Sequence, residues 1–76
     1  MFTIFTKPAC PHCEATKRKF NKAGVEFKEV SLPDNPTELD YIKKQGYTMA
    51  PVIEDPYGHL HPYTETDELL QGPLVG

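Results

Sequence analysis

A chain of 76 residues is enough for one small domain and too short to enclose a large cavity, because a fold of this size buries only about 60% of the surface its unfolded form exposes. A net charge of −3 with 25% charged residues lacks the basic excess that nucleic-acid binding needs. No stretch approaches the roughly 20 apolar residues of a membrane span, and Met1-Phe2-Thr3-Ile4-Phe5-Thr6 lacks the charged-then-apolar order of a signal peptide, so a cytoplasmic protein without membrane contact is expected.

Phe2, Ile4 and Phe5 among two threonines make a β-prone run from Met1 to Thr6, halted by Lys7-Pro8. Bulk on both faces suits a buried central strand. Lys7-Pro8-Ala9 is then the loop that brings Cys10 to the end of the sheet, with Lys7 near enough in sequence to offer positive charge to a thiolate or a substrate carboxylate. From Pro11 to Ala23, the residues Cys13, Thr16, Phe20 and Ala23 recur at helical spacing while Lys17, Arg18, Lys19 and Lys22 fill the outer face. Gly24 closes that helix as a left-handed cap. Val25 to Val30 reads as a second strand of edge type, and strand, helix and strand together predict a right-handed, parallel βαβ unit.

After the loop Ser31-Leu32-Pro33-Asp34, a second helix is expected from Pro36 to Gln45, with Asn35 as its cap, Glu38 completing a capping box, Leu39 and Ile42 inward, and Gly46 as its stop. Pro51 stands directly before an apolar run, one of the few places a strand accepts proline, so Val52 to Glu54 is the third strand. Asp55-Pro56-Tyr57-Gly58 carries the residues of a type I turn and returns the chain through His59-Leu60-His61 to Pro62. Those two histidines read as hairpin residues. Thr64 or Thr66 is expected to cap a last helix ending near Gln71, with Leu69 and Leu70 packed inward and Leu74-Val75-Gly76 as a loose tail. Residues 1–76 show no repeat and read as one domain.

The stretch that carries chemistry is Cys10-Pro11-His12-Cys13. With Cys10 as N-cap and Pro11 as the first helical residue, Cys13 lies one turn along on the same face and within reach of Cys10. Unpaired N–H groups and the positive end of the helix dipole favour a thiolate at Cys10, which makes it the attacking sulfur and Cys13 the resolving one. A structural disulfide is the second reading, but so small a loop removes little unfolded-state entropy. Half of a zinc site is the third. It would need further ligands from His12, His59 and His61, whose spacing departs from zinc-binding patterns, so no metal ligand is assigned.

The order βαβ, helix, ββα, with Cys-x-x-Cys after the first strand and proline before the third, resembles the thioredoxin fold in its short glutaredoxin-like form: an α/β protein, βαβαββα, with a four-stranded mixed sheet. Thr6-Lys7-Pro8-Ala9-Cys10-Pro11-His12-Cys13, Ala15-Thr16-Lys17, Ala23-Gly24-Val25, and Asp40-Tyr41 through Gly46-Tyr47 to Ala50-Pro51-Val52 are similar to NrdH-type redoxins, the glutaredoxin-like electron donors of class Ib ribonucleotide reductase. The likeness is good over residues 1 to 54. It implies a dithiol-disulfide oxidoreductase that reduces protein disulfides, with ribonucleotide reductase as partner, thioredoxin reductase as electron source, and no cofactor beyond the Cys10–Cys13 disulfide. It also implies a cis Pro51 beside the thiols and an Ala50 backbone able to pair with a substrate strand. A monomer is expected.

The chain departs from these redoxins in two places, after the fourth strand and between the two cysteines. His61-Pro62-Tyr63-Thr64-Glu65 stands where they usually carry Trp-Ser-Gly-Phe-Arg, and Thr64-Glu65-Thr66-Asp67 stands where glutathione-using glutaredoxins carry Gly-Gly-x-Asp. Asp67 survives from the latter motif, which leaves a glutathione-dependent glutaredoxin, with Lys7 and Asp67 as binding residues, as the alternative. The dipeptide Pro11-His12 resembles thiol oxidants of the DsbA type, and His12 is expected to stabilise the Cys10 thiolate and raise the reduction potential. A Cys-x-x-Cys metal module and a non-catalytic interaction protein with inert cysteines are the readings from other classes.

Overall fold

Apolar side chains on both faces place β1 (Phe2–Thr6) in the middle of the sheet. In the computed structural model, which describes residues 1–73, the chain continues through α1 (Pro11–Lys22), β2 (Phe27–Ser31), α2 (Pro36–Lys44), β3 (Val52–Glu54), β4 (Leu60–Pro62) and α3 (Thr66–Gln71). This is the predicted βαβαββα order. The sheet runs β2-β1-β3-β4, with β1 parallel to β2 and antiparallel to β3, and β3 antiparallel to β4. The expected tail Leu74-Val75-Gly76 lies outside the described residues.

The alternation in β1 divides the core in two. Phe2 and Ile4 pack with Phe20 of α1, Ile53 of β3 and Leu69 of α3 on one face. Phe5 packs with Leu32, Ile42 of α2 and Val52 on the other. Phe20 is fully buried between the edges of Phe2 and Phe27, at centroid distances of 5.3 and 5.6 Å. Two helices on one face and one on the other therefore hold the end of β1 in place.

Both long helices end in the same way. Gly24, at φ +70°, donates to Asn21 O while Val25 N–H reaches Phe20 O, and Gly46, at φ +90°, repeats the pattern with Lys43 and Ile42. Only glycine adopts this left-handed conformation without steric cost. The closure also corrects one expectation. Val25 belongs to the helix-ending turn, so β2 begins at Phe27 and extends to Ser31, opposite Thr6.

Three further expectations need correction. The predicted loop after β2 contains a 3-10 turn, Leu32–Asp34, because Leu32 is drawn into the core beside Phe5 and Ile42. Asn35 precedes α2 but does not cap it, since its amide donates backwards to Ser31 O at 2.7 Å and closes the 3-10 turn instead. Neither Thr64 nor Thr66 caps α3. Tyr63–Glu65 forms a 3-10 turn that runs straight into the helix, and the buried Thr66 hydroxyl donates to Tyr63 O.

Candidate active site

The chain leaves β1 at Thr6 and must turn sharply to enter α1. Ala9 makes that turn in the left-handed region, at φ +51°, a conformation that costs an L-residue about 1–2 kcal/mol. Cys10 then follows with extended backbone (φ −117°, ψ 99°) as the N-cap of α1, with Pro11 as the first helical residue, as the spacing predicts. Cys13 N–H donates to Cys10 Sγ at 3.1 Å, so an orphan donor of the helix end points at the sulfur where negative charge would develop. The two cysteines form a disulfide with Cα atoms 5.2 Å apart. Cys10 is 7% exposed and Cys13 only 1%, so Cys10 faces the outside.

Ala50 and the fully buried Pro51 come to the same place from the start of β3. Their peptide bond is cis, and Ala50 clusters with the two cysteines, its carbonyl oxygen 3.7 Å from Cys10 Sγ. Lys7, Cys10, His12, Met49, Ala50 and Tyr63 line an open cleft of about 290 Å³ over the disulfide. Lys7 is exposed and also borders a more apolar groove of about 240 Å³ that contains Leu39, Ile42 and Met49. Asp67 shares a smaller cleft with His12 and Tyr63, but its carboxylate is 3.1 Å from Lys19 Nζ and so is already paired.

Lys17 and Lys19, two cations of the expected solvated face, are engaged within the chain. Lys17 lies between Glu14 (3.0 Å) and Glu29 (3.2 Å), and hydrogen bonds to these two carboxylates raise its pKa above the ordinary lysine range. Glu29 also accepts from the buried Thr6 hydroxyl at 3.0 Å, which ties β2 to the last residue of β1 before the active loop.

Two features of the site had not been singled out from the sequence. The first is Tyr63, whose ring stacks on His12 with centroids 4.5 Å apart and planes 22° from parallel. The second lies behind it. Asp55, with its side chain 3% exposed, accepts from Tyr57 N–H and His59 N–H, while His61 is held between Asp55 (2.8 Å) and Glu65 (3.2 Å). A signal for this cluster was present: the hairpin register pairs Ile53 with His61, which sets Asp55 and His61 diagonally on one face.

Burial opposes charge on both members, yet their hydrogen bonds prevail. The His61 pKa is raised against desolvation by its bonds to Asp55 and Glu65, and the Asp55 pKa is lowered against desolvation by its bonds to His61 and to the two backbone N–H groups. The stability that His61 supplies is therefore full below its unfolded value of about 6.5 and lost as pH rises through the raised folded value. Asp55 contributes fully above about 4 and loses its contribution as pH falls through the lowered one. Wild type is expected to exceed His61→Ala by about 1–3 kcal/mol in urea unfolding at pH 6, with a smaller gap at pH 9. An equal gap at both values would show that the imidazolium does not hold the hairpin.

A glutaredoxin family model matches residues 2–54, which contain the βαβ unit, the cysteine pair, Ala50-Pro51 and β3. The chain belongs to the glutaredoxin family. Among its glutaredoxin relatives, the glutaredoxin-like protein NrdH of Salmonella typhimurium is 37% identical over 51 residues, which is 67% of this chain and 63% of that protein. Gene 56 protein of Mycobacterium phage L5 is 31% identical over 72 residues, 90% of this chain and 70% of that protein. The match to the Salmonella protein thus spans somewhat less than two thirds of its length. The NrdH-redoxin of Escherichia coli has the same fold, with a TM-score of 0.80 at 24% identity over 95% of this chain and 97% of that one. Like that protein, this glutaredoxin has the α/β thioredoxin fold, with a four-stranded mixed sheet. Among the described residues, no helix is long and apolar enough to cross a membrane, and no group of three His, Cys, Asp or Glu is placed to hold a metal ion.

Proposed function

We propose that this glutaredoxin is a dithiol-disulfide oxidoreductase that reduces protein disulfides in the cytoplasm, with residues 1–76 acting as one redoxin domain. The observation that carries this reading is the Cys10–Cys13 disulfide at the start of α1, where Cys13 N–H is directed at the more exposed sulfur. In the reductive cycle, Cys10 thiolate attacks a target disulfide, forming a Cys10-target bond and expelling one target thiolate. Cys13 then attacks Cys10 Sγ, expels the second target thiolate and closes the Cys10–Cys13 bond, so that two electrons pass to the target. An external reductant reopens the pair. Pro11 and His12 tune the thiolate, Ala50 and Pro51 present an extended backbone to the incoming chain, and Lys7 meets its carboxylates.

Ribonucleotide reductase is the proposed target and thioredoxin reductase the proposed electron source, on the similarity to NrdH proteins. Glutathione is the weaker alternative, because Asp67 is the one residue left of a glutathione-type turn and its carboxylate pairs with Lys19. A coupled assay with insulin as disulfide substrate and NADPH as final donor separates them. Turnover is expected with thioredoxin reductase. Turnover with only glutathione and its reductase would move the protein to the glutathione-dependent class and return Lys7 and Asp67 to binding roles. Inert cysteines in both arms would overturn the catalytic reading.

A further inference from the structure

His12 lies between the two cysteines on the exposed first turn of α1, where a lone imidazole would be free to swing away from the sulfurs. It does not stand alone. The Tyr63 ring lies against it, nearly parallel, and both rings border the cleft above Cys10. Tyr63 is itself fixed on both sides in sequence: Pro62 before it pairs with Val52, and its own carbonyl accepts from the Thr66 hydroxyl after it. One residue further back, the His61 ring is gripped by Asp55 and Glu65. A rigid hairpin thus sets the position of one aromatic face, and that face sets the position of the imidazole.

We propose that Tyr63 is a positioning residue for the redox centre, holding the His12 ring at the cleft it shares with Cys10 so that it stabilises the reduced pair and raises its reduction potential. The inference rests on the tuning role given to His12 above and deepens it by naming what makes that role possible. An aromatic stack is worth enough to change a conformational preference about three- to tenfold, and the dithiol-to-disulfide ratio shifts by up to the same factor, since anything favouring the thiolate favours the dithiol over the disulfide.

The test is the equilibrium of the pair with glutathione. Two glutathione thiols open the Cys10–Cys13 bond and become one glutathione disulfide, and two electrons pass to the protein. The ratio of dithiol to disulfide is read by alkylation after acid quench. Tyr63→Ala and His12→Ala are each expected to shift that equilibrium toward the disulfide by about three- to tenfold, with Tyr63→Phe close to wild type. In a His12→Ala background, Tyr63→Ala should add nothing. The proposal is overturned if Tyr63→Ala leaves the equilibrium unchanged, if its effect persists in full without His12, or if His12→Ala itself has none. Should Tyr63→Ala unfold, Tyr63→Leu replaces it, keeping apolar cover without the aromatic face, and equality of Leu and Phe variants would then overturn the proposal. The equilibrium remains measurable even if the protein reduces no protein disulfide, so failure of the functional reading is seen separately in the insulin assay.

Discussion

A Cys10→Ser protein is expected to lose disulfide turnover by more than about a thousandfold, while Cys13→Ser completes the first step and stops. The asymmetry follows from access and electrostatics together. Cys10 is the more exposed of the two cysteines and has the helix N–H directed at its sulfur, whereas Cys13 is almost wholly enclosed. Loss of Cys10 therefore removes the sulfur a target can meet. Loss of Cys13 leaves the attack intact but removes the thiol that would displace the target, so mixed disulfides should accumulate and appear as reductant-sensitive bands on a non-reducing gel. Full turnover by Cys10→Ser would place the reacting sulfur elsewhere, and an absence of trapped species with Cys13→Ser would remove Cys13 from the resolving role.

Truncating Phe20 to alanine should have the largest effect on stability. The ring is fully buried, with edge-to-face contacts to Phe2 of β1 and Phe27 of β2, so its loss opens a void at the junction of three elements. Such changes cost about 3–5 kcal/mol, and a chain of this length has only about 4–11 kcal/mol in total. A large share of the protein is then expected to be unfolded at 37 °C, with Phe20→Leu much milder because it keeps most of the volume. Phe20 lies two turns beyond Cys13 on the buried face of α1. Its removal should therefore loosen the helix that carries the redox pair, visible as faster alkylation of reduced Cys13. A loss below about 1 kcal/mol in urea unfolding would mean that the core closes over the gap.

Much of this architecture is legible from local pattern. Cys10, Pro11 and Cys13 specify a helix start and a closable pair within four consecutive residues, and Gly24 and Gly46 mark helix ends because their conformation excludes other residues. The capping side chains were harder to read. Asn35 and Thr66 each had two nearby backbone partners, and the choice between them depended on whether the preceding turn tightened into 3-10 geometry. Tyr63 was harder still. Its contact with His12 joins segments far apart in sequence, and no periodicity within either segment announces it. The Pro51 isomer was read from family likeness, since a sequence does not encode it in any local pattern.

The two outer strands have a consequence for how this chain behaves in a crowd of its own copies. An exposed strand edge is a template on which another molecule can add a strand, and long, flat, apolar edges do so most readily. Here β4 offers only three residues, one of which, Pro62, has no N–H to donate. On the opposite flank, β2 presents Lys28 and Glu29, the latter already bound to Thr6 and Lys17. A short, proline-containing edge on one flank and a charged one on the other both disfavour strand addition by a neighbouring copy.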